Sequence, residues 1–362
     1  MSRLFEAGTT LAVFTEVIDN FGDAGVAWRL AREAARRGAT VRLVADKLEP
    51  FAFLCGSDSG RDVQDVSGVT LVKRSAFELL PVAVDDIVLE IFAVRLPARY
   101  EAALKACAEP VFWANFDYLT SEAWAADFNE RPSLDPASGK PKTNFFPGLA
   151  PGCAPVVIEA DYLAGKEAFE PDKWLGRLGL SAPSAFYFGY PGAPVGDIAC
   201  ALAEAGFASV ACAQGKAGED LALALAGTGV KTVALPFFPQ PELDCHLWAS
   251  ALNFVRGEDS LVRAVLAGRP FLWQVYPSED ARQTEKLAGF LEAARPAFAT
   301  SEAFALWRKA NERLNGFNAD SSALAAFARA SGKFLEDFAR LSSLLLEKGS
   351  FLDRLAQCAK NR

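Results

Sequence analysis

The fold is indicated first by residues 11–46, LAVFTEVIDNFGDAGVAWRLAREAARRGATVRLVAD. Residues 11–17 are largely apolar and predict a strand, whereas apolar residues recur at helical spacing over residues 26–37. Gly38 follows as a helix end, and residues 41–44 predict the next strand. A strand, a helix and a strand in this order predict a βαβ unit with a parallel sheet.

Further strands and helices of the same kind follow along the chain. Residues 86–92 and 111–115 predict buried parallel strands, and a loop-like stretch rich in Pro, Gly and Ser covers residues 129–152. A second α/β series then contains predicted strands at residues 185–190, 209–213, 252–255 and 270–275, and predicted helices at residues 195–205 and 260–267. From Ser301 onward the apolar spacing is helical.

This order predicts an α/β protein with two Rossmann-like domains and C-terminal helices. We place the first domain at residues 1–150 and the second at residues 151–340, and we expect residues 341–362 to pack back on the first domain. Open α/β sheets bind ligands outside the carboxyl ends of their strands, so the loops that follow the strands are the expected places for a site.

Composition and charge exclude several classes of protein. The 362 residues are 51% hydrophobic and 23% charged, as in a globular protein of about two domains. Lys and Arg number 37 and Asp and Glu number 45, and the resulting net charge of −8 argues against a nucleic-acid partner. A signal-peptide pattern and an apolar run of ~18 residues are both absent, which argues against a membrane partner. The seven cysteines lack a CxxC pair, so we expect reduced thiols and a cytoplasmic protein.

The single histidine, His246, limits the chemistry further. A multi-histidine metal site is impossible, and a histidine-based triad would have to use this residue. His246 lies in a helical-looking stretch beside Leu247 and Trp248, where a partly buried structural role is the favoured interpretation. If the protein is an enzyme, carboxylates are therefore the expected acid or base. No metal cluster is visible in the sequence, and we predict no metal and no cofactor.

The loop after the first strand, IDNFGDAG, holds Asp19 and Asp23 at a strand-to-helix turn. It lacks the GxGxxG spacing, and no P-loop pattern occurs in the chain. One interpretation is structural, with Asp23 capping a helix that begins near Ala24 and Asp19 bonding to turn amides. The functional interpretation is a carboxylate that removes a proton or holds a cation, with Gly22 allowing tight backbone geometry.

A second loop, RGEDS, follows a predicted strand and starts at Arg256. The free amides of the next helix form a site for an anion such as a diphosphate, with Gly257 allowing close approach and Ser260 offering a hydroxyl. We expect Glu258 to face hydroxyl groups or developing positive charge, because a carboxylate repels phosphate. The structural alternative makes Asp259 or Ser260 the N-cap and pairs Arg256 with either acid.

Four stretches of the chain match one known family: VIDNFGDAGVAWRLA, NFDYLTSEAW with the later NFFPG, LPFFPQ, and LNFVRGEDSLVRAVLAGRPFLWQVYP. They extend from Val17 to Pro277, and the RGEDS stretch with its flanks is the most specific of them. In these stretches the chain resembles the bacterial protein-arginine rhamnosyltransferases that modify elongation factor P.

That resemblance implies a GT-B type glycosyltransferase in which two Rossmann-like domains face a cleft, the first binding the acceptor and the second the nucleotide sugar. It implies inverting, metal-independent transfer of L-rhamnose from dTDP-β-L-rhamnose to an arginine of elongation factor P. Two alternatives stay open. One is a GT-B enzyme with another nucleotide sugar or a small-molecule acceptor, and the other is a catalytically silent ligand-binding or scaffold protein.

Residue by residue, the resemblance implies that Asp23 is the general base, Asp19 its companion acid and Glu258 an essential glutamate. The predicted substrate-binding residues, from the loops and the resemblance together, are Asn20, Phe21, Gly22, Tyr190, Phe237, Gln240, Arg256, Gly257, Asp259 and Ser260. Two places depart from the family pattern: Asp117 stands where the pattern has glutamate, and residues 91–97 are less polar.

Overall fold

The computed structural model describes residues 4–18, 21–120, 122–277 and 282–361. It divides into two compact units, the first formed by Met1–Tyr162 with Lys348–Arg362 and the second by Leu163–Glu347. The chain thus passes from one unit to the other after residues 162 and 347, where the sequence analysis places its limits at residues 150 and 340.

The first unit is built on one sheet of mostly parallel strands. In chain order its elements before the first crossing are β1 (Thr10–Thr15), α1 (Gly22–Arg36), β2 (Thr40–Ala45), α2 (Glu49–Cys55), β3 (Val63–Val66), β4 (Val69–Lys73), α3 (Arg74–Phe77), β5 (Ile87–Ile91), α4 (Ala98–Ala106), β6 (Phe112–Phe116), α5 (Ala123–Phe128), β7 (Pro132–Leu134) and β8 (Pro141–Phe145). The strand order is β3-β4-β2-β1-β5-β6-β8-β7, and only the β3–β4 and β7–β8 pairs of the described strands are antiparallel.

The two faces of this sheet bury separate apolar clusters, as the alternation of strand side chains requires. On β1, Leu11 and Val13 join one cluster, whereas Ala12 and Phe14 join the other. A strand that is buried on both faces is apolar at consecutive positions, which is the pattern that made β1 recognisable in the sequence.

The second unit is built on a five-stranded parallel sheet in the order β11-β10-β9-β12-β13. The elements from the first crossing onward are α6 (Tyr162–Glu167), α7 (Pro171–Arg177), β9 (Ser184–Tyr187), α8 (Val195–Glu204), β10 (Ser209–Cys212), α9 (Lys216–Ala224), β11 (Lys231–Ala234), α10 (Gln240–Ala249), β12 (Leu252–Arg256), α11 (Asp259–Ala267), β13 (Phe271–Gln274), α12 (Arg282–Ala294), α13 (Ser301–Leu314), α14 (Ser322–Ala330), α15 (Leu335–Leu346) and α16 (Phe351–Lys360). The last of these, α16, belongs to the first unit, where Phe351, Leu352 and Leu355 complete the core.

The prediction of a loop over residues 129–152 is wrong in part. This stretch contains β7 and β8, and β8 pairs in parallel with β6 through partners such as Phe116 and Phe145. Both strands begin with a proline and the side chains of β7 are exposed, so the sequence has no strand pattern here. Proline is tolerated at these places because β7 is an edge strand and Pro141 is the first residue of β8.

His246 has the structural role that its sequence context favours. Its ring is buried and stacks on Phe186, with 5.1 Å between the centroids, and Trp174 Nε1 donates to its Nδ1 at 3.5 Å. Burial lowers the pKa of His246 to about 4. All seven cysteines are free, as predicted. Within the described residues, no helix has the length and apolarity that crossing a membrane requires.

Candidate functional site

Asp23 lies in the first turn of α1, directly after the turn that follows β1. Its side chain is only 3% exposed, and Oδ2 accepts the Ile18 N–H at 2.8 Å. The helix begins at Gly22 and its N-cap is Phe21, so the alternative in which Asp23 caps a helix starting near Ala24 is wrong. A buried carboxylate at a helix N-terminus is stabilised by the helix dipole and by the amide that it accepts.

Tyr118 reaches the same carboxylate from the end of β6. Its Oη lies 3.4 Å from Asp23 Oδ1 and donates to it. The carboxyl ends of parallel strands meet at one edge of a sheet, which explains how residues 95 positions apart come together. The sequence analysis missed Tyr118, although the stretch NFDYL follows a predicted strand and could have indicated it.

A strained turn lies beside Tyr118. Phe92 and Ala93 have φ angles of +59° and +55°, in the left-handed region where residues other than glycine cost about 1–3 kcal/mol each. Phe92 N–H donates to Phe116 O and Ala93 N–H donates to Asn115 Oδ1, both at 2.8 Å. The Phe92 ring is parallel to the Tyr118 ring within 4°, with 3.8 Å between centroids.

The position of Asp117 shows what a carboxylate does there. Its Oδ1 accepts the Tyr118 N–H at 2.8 Å and its Oδ2 lies 3.5 Å from Asn115 Nδ2. These bonds hold the turn after β6. The other departure from the family pattern, residues 91–97, places Ile91, Val94 and Leu96 in the buried core.

The remaining predicted residues of the first loop differ in how far the structure describes them. Asp19 and Asn20 lie outside the described residues. The Phe21 ring packs edge-on against Phe53, with 5.9 Å between centroids. Phe21, Gly22 and Asp23 lie at the start of α1, and their roles, like that of Asp19, stay predictions.

In the second unit the RGEDS stretch forms the turn between β12 and α11. Gly257 has a φ of +63°, which favours glycine, and its carbonyl accepts Trp273 Nε1–H at 2.7 Å. The N-cap of α11 is Glu258, so the alternative in which Asp259 or Ser260 caps the helix is wrong. Ser260 Oγ instead donates to Arg256 O and accepts the Arg256 N–H, which closes the turn.

Arg256 faces aromatic rings rather than acids. Its guanidinium lies 4.4 Å from the Phe188 ring centroid and 4.6 Å from that of Tyr190, and Nη1 donates to Gly189 O at 3.2 Å. The described part of the chain contains no ion pair between Arg256 and either acid of the loop, so the pairing that the structural alternative requires is wrong. The Arg256 guanidinium thus lies at the carboxyl ends of β9 and β12, in contact with aromatic rings and a backbone carbonyl.

Glu258 forms an ion pair with Lys286, which α12 supplies. The Glu258 side chain is 15% exposed and that of Lys286 is 38% exposed, so both groups can be reached by a ligand. The sequence analysis missed Lys286, because nothing in the local pattern of an amphipathic helix distinguishes one lysine from the others.

The other predicted donor-site residues surround this turn. Gln240 is buried at the start of α10, with Nε2 3.5 Å from Asp259 Oδ2. Tyr190 is buried and its N–H donates to Gln274 Oε1 at 2.7 Å. Phe237 is 49% exposed, and its N–H donates to Gln214 Oε1 at 2.9 Å.

Chemically, the two units differ. The first presents a buried, oriented carboxylate, which can accept a proton or hold a cation. The second presents the N-terminus of the nine-residue helix α11, a guanidinium, aromatic rings and an ion-paired glutamate, a combination suited to an anionic ligand with an aromatic base. The described residues contain no group of three or more His, Cys, Asp or Glu side chains that could hold a metal ion.

Comparison with known proteins places this geometry in context. A family model described as Elongation-Factor P (EF-P) rhamnosyltransferase EarP matches residues 11–360. The protein-arginine rhamnosyltransferase of Pseudomonas putida is 35% identical over 328 residues, which cover 83% of this chain and 86% of that protein. The enzyme of the same name from Pseudomonas aeruginosa is 36% identical over 305 residues, covering 77% and 80%.

Solved structures agree with these matches. A structure described as the basis for EarP-mediated arginine glycosylation of translation elongation factor EF-P aligns with a TM-score of 0.63 at 25% identity, over 97% of this chain and 99% of that chain. Os79 from O. sativa, in complex with UDP, aligns with a TM-score of 0.54 at 10% identity, over 98% and 100%. The latter shows the fold alone. The predicted GT-B fold class, with C-terminal helices, is confirmed.

Proposed function

This chain belongs to the EF-P rhamnosyltransferase family EarP and is thus a glycosyltransferase, and we propose that it transfers L-rhamnose from dTDP-β-L-rhamnose to an arginine side chain of elongation factor P, with inversion at the anomeric carbon. The names of its relatives support the sugar, the arginine and the protein acceptor. The observation that carries the proposal is the buried carboxylate of Asp23, oriented by two donors at the carboxyl end of β1.

The acceptor chemistry requires such a carboxylate. A protonated guanidinium is a poor nucleophile, because its lone pairs are delocalised and its pKa exceeds ~12. In the proposed step a guanidinium nitrogen attacks the anomeric carbon, the bond from that carbon to the diphosphate oxygen breaks, and Asp23 takes the proton that the nitrogen loses. A single displacement inverts the configuration. Asp19 remains proposed as the companion acid.

The donor chemistry requires groups that stabilise a leaving diphosphate. We assign this task to the amides at the start of α11 and to the turn with Gly257 and Ser260, assisted by Arg256. Tyr190, Phe237, Gln240 and Asp259 are proposed to bind the nucleotide. Glu258, held by Lys286, is proposed to face the sugar hydroxyls or the charge that develops on the sugar ring.

We propose that these groups stabilise the charge of the leaving diphosphate without a metal or a cofactor. We also propose that the protein has no nucleic-acid or membrane partner and that it acts in the cytoplasm, together with elongation factor P.

The test is the intact mass of purified elongation factor P after incubation with this protein and dTDP-L-rhamnose. A gain of one deoxyhexose on arginine is expected with the wild type and is not expected with Asp23→Asn, which keeps the shape of the side chain. NMR of the glycosylated product reports the anomeric configuration. Calorimetric binding of the dTDP-sugar without any mass gain would assign the chain to another acceptor, and mass gain from a different nucleotide sugar would change the donor.

A further inference from the structure

Both oxygens of the Asp23 carboxylate receive a directed hydrogen bond. Oδ2 accepts the backbone N–H of Ile18 at 2.8 Å, and Oδ1 faces the Tyr118 hydroxyl at 3.4 Å. The terminal torsion of aspartate is broad, so two donors on opposite oxygens restrict the plane of the carboxylate more than one donor does. The Tyr118 bond is longer than the usual ~2.7 Å, and bonds of this kind tighten when a substrate fills a site.

The Tyr118 ring is itself held by an aromatic stack on one of its faces. Phe92 lies parallel to it within 4° at 3.8 Å between centroids, and Phe92 reaches this place from a backbone with φ of +59°. Bulky residues rarely adopt that conformation, and it persists only where the surroundings enforce it. Two backbone donors, from Phe92 to Phe116 O and from Ala93 to Asn115 Oδ1, hold this turn. Strain of this kind clusters at functional sites.

The geometry points to Tyr118 as a positioning residue for the reaction: its hydroxyl orients the Asp23 carboxylate toward the acceptor guanidinium, and the Phe92 ring, held by a strained backbone, fixes the Tyr118 ring that carries the hydroxyl. This inference rests on the function proposed above and adds to it a residue that the sequence analysis did not select. Tyr118 acts through Asp23, so its loss slows the chemical step more than it weakens acceptor binding.

Two other charged groups contact the backbone of Val17, close to Ile18 in the same turn. Asp46 Oδ1 accepts the Val17 N–H at 2.8 Å, and Lys47 Nζ donates to Val17 O at 2.9 Å. Neither contact involves Tyr118, so we expect the Asp46 and Lys47 hydrogen bonds to be the same in the wild type and in a Tyr118 variant.

The test compares Tyr118→Phe with Tyr100→Phe. The first variant keeps the ring and its stack and removes only the hydroxyl. Tyr100 Oη also donates to a carboxylate, Asp85 Oδ2 at 2.6 Å, but Asp85 lies just before β5, at the opposite edge of the same sheet. We expect Tyr118→Phe to lower kcat about tenfold with the acceptor KM changed less than about twofold, and Tyr100→Phe to leave both unchanged. Phe92→Leu, which removes the stacked ring, is expected to give part of the Tyr118→Phe loss.

A second measurement is independent of rhamnose transfer. The carboxyl carbon resonance of Asp23, identified by its loss in Asp23→Asn, is expected to move in Tyr118→Phe and to stay in place in Tyr100→Phe. A resonance and a kcat that are both unchanged in Tyr118→Phe would overturn the assignment. A resonance that moves in a protein that transfers no sugar, even as the wild type, would overturn the proposed function and leave the contact between the two side chains established.

Discussion

Arg263 and Asp244 join the helix that follows Glu258 to the helix that begins with Gln240. Arg263 Nε donates to Asp244 Oδ1 at 2.7 Å, and both side chains are buried in the second unit. The pair therefore fixes α11, with its N-terminal turn, against α10. This ion pair thus connects two elements that carry predicted donor-binding residues, Gln240 at the start of α10 and Asp259 and Ser260 at the start of α11.

Removing one partner of this pair takes a buried ion pair away from the charge that remains. We expect Asp244→Ala to lower the free energy of unfolding by about 3–5 kcal/mol and to weaken the binding of dTDP. Urea unfolding and calorimetry check the two effects. As a control, Asp197→Ala breaks the pair with Arg313, whose side chains are 24% and 25% exposed, and is expected to lower the free energy of unfolding by only about 1 kcal/mol. Equal losses in both variants would contradict this account.

Gly189 has no room for a side chain. A Cβ there would lie 2.5 Å from Tyr187 Oη and 3.1 Å from Gln274 Oε1, the oxygen that accepts the Tyr190 N–H. Gly189→Ala is expected to displace these groups, to destabilise the second unit by about 1–3 kcal/mol and to weaken dTDP binding about tenfold.

The matched control for this prediction is Gly196→Ala, at a position where a Cβ meets nothing within 4 Å. Calorimetric titration of dTDP into both variants separates them. An unchanged affinity in Gly189→Ala would show that Tyr190 and its neighbours do not bind the nucleotide.

The ion pair between Lys286 and Glu258 provides a test of the glutamate. Lys286→Met removes the cation and keeps most of the length of the side chain, so Glu258 loses its ion pair with this residue. We expect kcat for transfer to fall about tenfold or more, with partial recovery in Lys286→Arg. Lys173→Met, which breaks an exposed pair with Glu170, is the control and should leave kcat unchanged.

The buried His246 makes stability depend on pH. Its pKa is lowered to about 4 from a value of 6.5 in the unfolded chain, so below pH 6.5 the unfolded state binds a proton that the folded state does not. The contribution of His246 to the free energy of unfolding is fully present above about pH 6.5. It is lost as the pH drops toward 4, and this loss lowers the free energy of unfolding by roughly 3 kcal/mol.

The variant His246→Phe removes that contribution. The free energy of unfolding, measured in urea between pH 4 and 7, should therefore lose less on acidification in the variant than in the wild type. Parallel pH curves for the two proteins would show that burial does not hold His246 neutral.

The sequence predicts the parts of this fold that depend on local pattern, and it fails where partners are distant. The βαβ unit of residues 11–46 is readable because buried parallel strands are continuously apolar. The strand β8 is not readable, because it forms by pairing with β6 and its buried residue Phe145 packs against distant residues such as Phe351. Its flanking prolines and polar residues are typical of a loop.

The same distinction applies to the candidate site. Asp23 and the RGEDS stretch follow predicted strands, so their place at the sheet edges is a local inference. Tyr118 contacts Asp23, which is 95 positions away, and Lys286 contacts Glu258, which is 28 positions away. The residues that surround Tyr118 and Lys286 in the sequence do not indicate these contacts. Only the folded chain brings these pairs together.

The return of α16 to the first unit has a consequence for biosynthesis. Phe351, Leu352 and Leu355 are fully buried in the core that also holds α1, so nascent chains lack part of that core until α16 has left the ribosome. The second unit is a continuous segment and can fold earlier. The unit that carries Asp23 can therefore be completed only after the second unit has been synthesised, and a translation product that stops before α16 would expose its unfinished apolar core to chaperones and proteases.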